Sequence, residues 1–311
     1  MRFKIIIAAT VALVIVGVGL GLAAVLGGGG SEGGGSEASG GKSAMLLAAG
    51  DIAECDHQGD EATAEILAQY PDATIATLGD NAYQEGTDEQ FKSCYDASWG
   101  KFKDRTMPAT GNHDESTKNA QGYWDYFGDR GGPYDKYYYS YGLGSWHLVV
   151  LNSDCWRVDG CAIDDPQAEW LRNDLEKNPA LCTIAYWHRP PFSSGRYGGP
   201  GETGRVRPLW QVLNEEGVDI LLTGHEHSYE RFAPMNTAGE RDDKGGVRLF
   251  VVGTGGGNLR PFENPPLATT EVRDDETWGV LKLDLGEGRY SWKFLPVAGS
   301  TFSDSGSGTC H

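Results

Sequence analysis

Short apolar runs recur along the chain, and each ends in a small or polar residue. Such runs are typical of strands buried inside a sheet. Two later runs, 280–285 and 290–295, alternate apolar and polar residues on either side of Gly-Glu-Gly, which predicts a β-hairpin added to the sheet. The buried strands are predicted at residues 45–50, 74–79, 146–152, 183–188, 219–224 and 248–254.

Helix-like segments lie between several of these runs, and alternating strands and helices predict an α/β fold with a layered sheet. In one segment, Asp165 is placed to cap the helix and Pro166 to occupy its first turn, where a missing N–H costs nothing. The Gly-rich stretch 193–205 predicts a long loop. The helices are predicted at residues 61–70, 164–178 and 206–217.

Polar residues follow five of the apolar segments directly. Each alone has an ordinary explanation as a helix cap or a turn residue. However, the carboxyl ends of strands converge at one edge of an α/β sheet, so these side chains can meet. Four of the seven histidines fall at these positions, which makes chance clustering improbable. The residues are Asp51, Asp80, Asn112, His113, His188, His225 and His227.

The amino-terminal segment indicates export. Arg2 and Lys4 precede an apolar or small-residue stretch from Ile5 to Leu26, and basic residues before such a stretch stay on the cytoplasmic side. Its length suits either a cleaved signal peptide or a retained membrane anchor over residues 1–26. The protein is therefore expected to be secreted or tethered to the extracytoplasmic face, with membrane contact only through residues 5–26 if they are not cleaved.

Residues 27–43 are mostly Gly, Ser and Glu with almost no apolar side chains, a composition that predicts a flexible linker. No further linker and no internal repeat follows, so residues 44–311 are expected to form one domain. The chain has 26 Lys and Arg against 44 Asp and Glu, a formal net charge of −18. This balance excludes a large basic footprint for nucleic acid.

Six cysteines fit an exported protein with structural disulfides, and the lack of a Cys-x-x-Cys pair disfavours a thiolate zinc ribbon or a thioredoxin-like centre. Six cysteines allow 15 pairings. Closeness in sequence favours Cys155 with Cys161, and the pairs Cys55–Cys94 and Cys182–Cys310 are guesses among the remainder.

The polar strand ends lie in five short motifs. The motifs are GDIA (50–53), GDNAY (79–83), GNHD (111–114), AYWH (185–188) and GHEH (224–227). This series resembles the calcineurin-like metallophosphoesterases, and specifically their purple acid phosphatase branch, over roughly residues 45–255. Ala53 and Ala185 replace the Gly and Val of the family pattern without removing a ligand. The resemblance implies a layered α/β/β/α sandwich of mixed sheets with a dimetal site at the strand carboxyl ends.

The same resemblance implies two metal ions that share the carboxylate of Asp80. A Tyr83 phenolate is a hard anionic ligand, which favours Fe(III) paired with Zn(II), Fe(II) or Mn(II). The alternative is that Tyr83 packs beside the metals without binding. The implied ligands are Asp51, Asp80, Tyr83 and His227 for one ion, and Asp80, Asn112, His188 and His225 for the other.

The implied reaction is hydrolysis of a small phosphate monoester by a metal-activated hydroxide, with no covalent protein intermediate. His113 is the candidate to bind the phosphoryl group and protonate the leaving oxygen, and Asp114 is expected to fix its tautomer. Two alternatives stay open. The same site serves a phosphodiesterase or nucleotidase, and a decayed site would make a non-catalytic, metal-dependent phosphate-binding envelope protein, although every ligand is present.

Overall fold

Two mixed β-sheets form the centre of the structure, a computed structural model that describes residues 43–311. The predicted signal peptide or anchor at 1–26, and all but the last residue of the predicted linker at 27–43, lie outside the described residues. Within residues 43–311, no helix has both the length and the apolar character needed to cross a bilayer.

The first sheet has six strands in the order β13-β12-β11-β1-β2-β3. Strands β1, β2 and β3 run parallel, and β11 pairs antiparallel with β1. Strands β11 and β12 form the hairpin that the sequence predicts. The strands are β1 (Ala44–Ala49), β2 (Thr74–Leu78), β3 (Thr106–Ala109), β11 (Gly279–Gly286), β12 (Arg289–Pro296) and β13 (Ser305–Thr309).

The second sheet has seven strands in the order β10-β8-β9-β7-β6-β5-β4. Its centre is parallel, with β5, β6, β7 and β9 side by side, and its remaining strands pair antiparallel. The strands are β4 (Tyr139–Leu143), β5 (Trp146–Val150), β6 (Cys182–Tyr186), β7 (Ile220–Thr223), β8 (Tyr229–Phe232), β9 (Arg248–Val252) and β10 (Thr270–Asp274).

Helices cover the outer faces. Helix α1 lies against the first sheet, and α4 and α5 pack together against the second. The short α2 continues into a π-helical turn at Phe91–Tyr95. The helices are α1 (Gly59–Ala68), α2 (Asp88–Gln90), α3 (Gln121–Phe127), α4 (Pro166–Lys177) and α5 (Pro200–Glu215).

Alternation along the buried strands divides the core into two clusters. Leu148 and Ile184 of the second sheet face the first sheet, where they share one cluster with Leu281. Val149 and Ala185, one residue further along each strand, share the other cluster with apolar residues of α4 and α5. Because both faces of these strands are covered, their sequences are continuous apolar runs. The layers follow the predicted α/β/β/α order.

Every predicted strand is present, but two local predictions are wrong. Helix α5 begins at Pro200, so the loop predicted over 193–205 is shorter than expected. Asp165 occupies the N-cap position of α4 with Pro166 after it, yet its carboxylate accepts a hydrogen bond from the Ala162 N–H, outside the helix. The chain just before the helix therefore competes successfully for the capping side chain.

All three predicted disulfides are present. Cys155–Cys161 closes a short loop, Cys55–Cys94 joins the segments that follow β1 and α2, and Cys182–Cys310 ties the start of β6 to the carboxyl terminus. Their Cα–Cα distances are 5.1, 5.1 and 5.4 Å. The structure contains no free cysteine among residues 43–311.

Candidate metal centre

The ligand-bearing loops leave the carboxyl ends of β1, β2 and β3 in one sheet and of β6 and β7 in the other. Asp51, Asp80 and His225, each just past its strand, have φ angles of 59°, 50° and 69°. These left-handed conformations are costly for residues other than Gly, and they concentrate at functional sites. The backbone turns sharply there, so the side chains of both sheets point toward one edge.

Asp51, Tyr83 and His227 form one side of the centre. The hydroxyl oxygen of Tyr83 lies 2.9 Å from Oδ1 of Asp51 and 3.1 Å from Nε2 of His227. The same Asp51 oxygen is 3.3 Å from His227 Nε2, so three donor atoms face one another. The second oxygen of Asp51 accepts the backbone N–H of His225 at 2.7 Å, which holds the carboxylate in place.

Asp80 lies between this side of the centre and a second side formed by His188 and His225. Its Oδ2 is 3.2 Å from the Tyr83 hydroxyl and 3.1 Å from His188 Nε2. His188 Nε2 is in turn 3.1 Å from Nδ1 of His225, and one donor atom from each of Asp80, His188 and His225 falls within a 4.8 Å cluster. Oδ1 of Asp80 accepts the backbone N–H of His113. Gly111 packs so closely on this carboxylate that a Cβ atom there would overlap it.

Main-chain carbonyls orient two of the histidines expected to bind metal. Nδ1 of His188 lies 2.8 Å from the carbonyl oxygen of Leu78, and Nδ1 of His227 lies 2.6 Å from that of Asn258. A carbonyl only accepts, so each Nδ1 carries the proton. The Nε2 lone pair of each ring is then directed into the centre, as metal ligation requires.

Asn112 supplies an unpaired acceptor. Its side-chain oxygen is buried and has no hydrogen-bond partner within residues 43–311. A buried unpaired carbonyl oxygen costs about 1–3 kcal/mol unless something binds it. The backbone N–H of the next residue, His113, bonds to Asp80, which places the Asn112 backbone beside the centre.

The ionisable groups also indicate a cation site. Burial lowers the pKa of His188, but the negative charge of Asp80 and their hydrogen bond outweigh it and raise that pKa to about 9. Burial and the carboxylates of Asp51 and Asp80 raise the pKa of the Tyr83 phenol well above its ordinary value. Burial and the positive charges of His188 and Arg189 lower the pKa of His225. Excess negative charge thus centres on Asp51 and Asp80.

His113 stands at the accessible rim of the centre, where its side chain is 28% exposed and Nε2 is 3.9 Å from Oδ2 of Asp80. Its Nδ1 lies 2.6 Å from the carbonyl oxygen of Gln84. The expected partner, Asp114, is elsewhere: its carboxylate accepts from Gly111 N and from the backbone and side chain of Asn81. Gln84, and not Asp114, therefore fixes the His113 tautomer.

Arg189 is a neighbour that the sequence analysis did not single out, although it directly follows His188. It is buried, it pairs with Asp154 and Glu202, and its Nη1 lies 3.0 Å from Nε2 of His225. A guanidinium only donates, whereas an imidazole that binds metal through Nδ1 keeps its proton on Nε2. Metal binding by His225 thus requires Arg189 to turn toward its acidic partners.

The set of donors fits two hard or borderline metal ions. Carboxylate, phenol and imidazole groups converge, the Asp80 carboxylate lies between the two sides, and the side-chain oxygen of the nearby Asn112 has no partner within residues 43–311. The structure therefore brings together six of the seven metal-binding residues expected from the sequence, with Asn112 beside them. Main-chain groups of Leu78 and Asn258 orient two of the six.

The comparisons with known proteins agree with this geometry. Purple acid phosphatase 22 of Arabidopsis thaliana is 28% identical over 169 residues, which cover 50% of this chain and 36% of that protein. Acid phosphatase type 7 of Homo sapiens is 27% identical over 216 residues, which cover 59% of this chain and 48% of that protein. The chain thus spans less than half the length of both relatives.

A solved structure of the purple acid phosphatase PPD1 from yellow lupin (Lupinus luteus) seeds shares the fold, with a TM-score of 0.71 and 20% identity. The match covers 86% of this chain and 54% of that one. The model of the family described as calcineurin-like phosphoesterase matches residues 44–229, more than half of the chain. The chain therefore belongs to the calcineurin-like phosphoesterase family.

Proposed function

We propose that this protein is an exported, metal-dependent phosphatase that hydrolyses small phosphate monoesters. The single observation that carries the proposal is the position of Asp80. Its carboxylate lies between a Tyr83 and His227 side and a His188 and His225 side, as a ligand shared by two ions would. The relatives named as a purple acid phosphatase and an acid phosphatase support the same reaction class.

One ion would be held by Asp51, Asp80, Tyr83 and His227, and the other by Asp80, Asn112, His188 and His225. When bound, two such ions supply Lewis acidity toward phosphoryl oxygens and an activated water near neutral pH. A Tyr83 phenolate favours Fe(III) for the first ion, with Zn(II), Fe(II) or Mn(II) as the second. A trivalent and a divalent ion carry more positive charge than the three anionic donors carry negative charge, so the centre would attract phosphate although the chain is acidic.

His113 is the residue of this chain best placed to move a proton. Its Nδ1 proton is held by the Gln84 carbonyl, so Nε2 is the atom that faces the centre and Asp80. A protonated Nε2 would donate to a phosphoryl oxygen and then to the leaving oxygen as the ester bond breaks. Its partial exposure leaves room for an ester to approach.

Export is supported by the cysteines. All six are paired in disulfides, which persist in oxidising compartments and are rare in the cytosol. With the basic and apolar amino-terminal sequence, this favours a location outside the cytoplasm, either secreted or anchored through residues 5–26.

The test is hydrolysis of an aryl phosphomonoester and the matching diester by metal-replete protein from acid to alkaline pH. Asp80→Asn is the control, because it keeps the side-chain shape and removes the shared negative charge. Monoester turnover that disappears in Asp80→Asn supports the proposal. Preference for the diester would replace it with a phosphodiesterase or nucleotidase. Tight phosphate binding without turnover of either ester would indicate a metal-dependent binding protein.

A further inference from the structure

Glu54 joins two loops that are far apart in sequence. Its Oε1 accepts a hydrogen bond from the Gln84 side-chain amide at 2.9 Å, and its Oε2 accepts the backbone N–H of Asn258 at 3.1 Å. The Glu54 side chain is 16% exposed, and both hydrogen bonds lie near the protein surface. His57 is 3.9 Å from Oε2, beyond hydrogen-bond distance.

Each of the two residues that Glu54 holds also holds a histidine of the centre. The carbonyl oxygen of Gln84 faces Nδ1 of His113 at 2.6 Å, and the carbonyl oxygen of Asn258 faces Nδ1 of His227 at 2.6 Å. The Glu54 carboxylate therefore connects the two residues whose main-chain carbonyls orient His113 and His227. Glu54 itself touches neither ring.

We propose that Glu54 is a positioning residue for His113 and His227. By holding the main-chain carbonyls of Gln84 and Asn258 in place, it fixes the tautomer and the direction of both imidazole rings. The expected effect on turnover rests on the proposed function, whereas the expected effect on the histidine tautomers does not. Without Glu54, each carbonyl belongs to a loop with one fewer anchor, and a carbonyl that moves out of the imidazole plane no longer selects the Nδ1–H tautomer.

A purely structural carboxylate would stabilise the two loops without affecting proton transfer, so the test has to separate these roles. A general acid matters more for a poor leaving group than for a good one, because only the poor one needs the proton as its bond breaks. Misplacing His113 should therefore reduce turnover of an alkyl phosphate more than turnover of a nitrophenyl phosphate. Loosened loops alone would reduce both equally.

The variants are Glu54→Ala and Glu54→Gln, with Asp125→Ala as the control, since the exposed Asp125 also accepts from a glutamine side chain, that of Gln121, but is bonded to neither the Gln84 nor the Asn258 loop. In Glu54→Ala, we expect the ratio of kcat for alkyl and nitrophenyl phosphate to fall about tenfold or more. Glu54→Gln keeps one acceptor oxygen, so it should lie between wild type and Glu54→Ala. The control should keep the wild-type ratio. An unchanged ratio in both Glu54 variants overturns the proposal.

A second measurement does not depend on turnover. In zinc-loaded protein with 15N-labelled histidine, long-range proton–nitrogen spectra report which ring nitrogen carries the proton. Wild type should show His113 as the Nδ1–H tautomer, and the Glu54 variants should show a clear Nε2–H fraction. If wild type hydrolyses no ester, the proposed function fails, and the spectra still decide the role of Glu54. Wild-type His113 signals in Glu54→Ala and Glu54→Gln would refute it.

Discussion

The hydroxyl oxygen of Tyr83 lies 2.9 Å from Oδ1 of Asp51, with His227 Nε2 3.1 Å away on the same side. A buried phenol needs a hydrogen-bond partner, and the partners of Tyr83 are two of the atoms expected to hold a metal ion. The hydroxyl therefore lies where phenolate ligation requires it, and a spectroscopic test separates ligation from packing alone.

Tyr83→Phe should remove a spectroscopic signature. A phenolate bound to Fe(III) absorbs visible light by charge transfer, so iron-loaded wild type should be coloured and Tyr83→Phe should be colourless. Tyr197→Phe is the matched control, since the Tyr197 ring packs 4.6 Å from the His225 ring without belonging to the donor set. Visible spectra at equal iron content decide the matter, and a band that survives in Tyr83→Phe would exclude phenolate ligation.

The candidate metal-binding residues could be proposed from the sequence because most of them follow a strand directly, and the resemblance to a known family added Tyr83. Their orientation could not. The partners of His113 and His227 are main-chain carbonyls of Gln84 and Asn258, and a carbonyl has no signature in the amino-acid sequence. Asp114 looked like the natural partner of His113 because it is adjacent. Its carboxylate is instead committed to Gly111 and Asn81 in the buried loop.

The strands of the fold were likewise predicted only in part. Buried strands were predicted because continuous apolar runs are typical of them, whereas several strands toward the sheet edges were missed. Strand β13 reads Ser-Gly-Ser-Gly-Thr, which lacks apolar residues, yet Gly306 is required where it packs on Trp292. Strand β8 contains Arg231, whose charge is paired with Asp304 from a distant loop. Long-range pairing of this kind leaves no local pattern.

His113→Ala should separate catalysis from metal binding. Because His113 faces the centre from the rim and is not among the donors, its loss should lower kcat by about 10²–10⁴-fold and leave the metal content unchanged. Turnover of a phosphomonoester and the metal-to-protein ratio by elemental analysis check both parts. Loss of one metal ion in this variant would instead show that His113 is a ligand.

Asn112→Ala should have opposite effects on the metal-loaded and the metal-free protein. With metal, the loss of the amide oxygen should weaken the binding of one metal ion. The metal-to-protein ratio should then fall toward one, and turnover should drop about 10–100-fold. Without metal, removing a buried unpaired oxygen should leave the free energy of unfolding unchanged or raise it by up to about 1–3 kcal/mol. Asn112→Asp keeps an oxygen donor and should retain two ions. A metal-free Asn112→Ala protein that is clearly less stable would mean that the oxygen has a structural partner.

Glu115 should make stability depend on pH. Burial, together with the negative charge of Asp154, raises the pKa of its carboxyl from the ordinary 4.5 to about 8. The folded protein therefore holds this proton over a range in which the unfolded chain has already released it. The contribution of the protonated Glu115 carboxyl to the free energy of unfolding is fully present below about pH 4.5 and is lost as the pH rises toward 8.

Glu115→Gln has no proton to lose and keeps an oxygen that can accept from the Thr110 hydroxyl, as Glu115 does at 2.9 Å. Between pH 5 and 8, wild type should thus lose about 2 kcal/mol or more of unfolding free energy relative to the variant, since each pKa unit corresponds to about 1.4 kcal/mol. Urea unfolding of both proteins at the two pH values, with equal metal content, measures this difference. Glu65→Gln, at an exposed position, should track wild type at both. If Glu115→Gln tracks wild type as well, the Glu115 carboxyl titrates near its ordinary value in the folded protein.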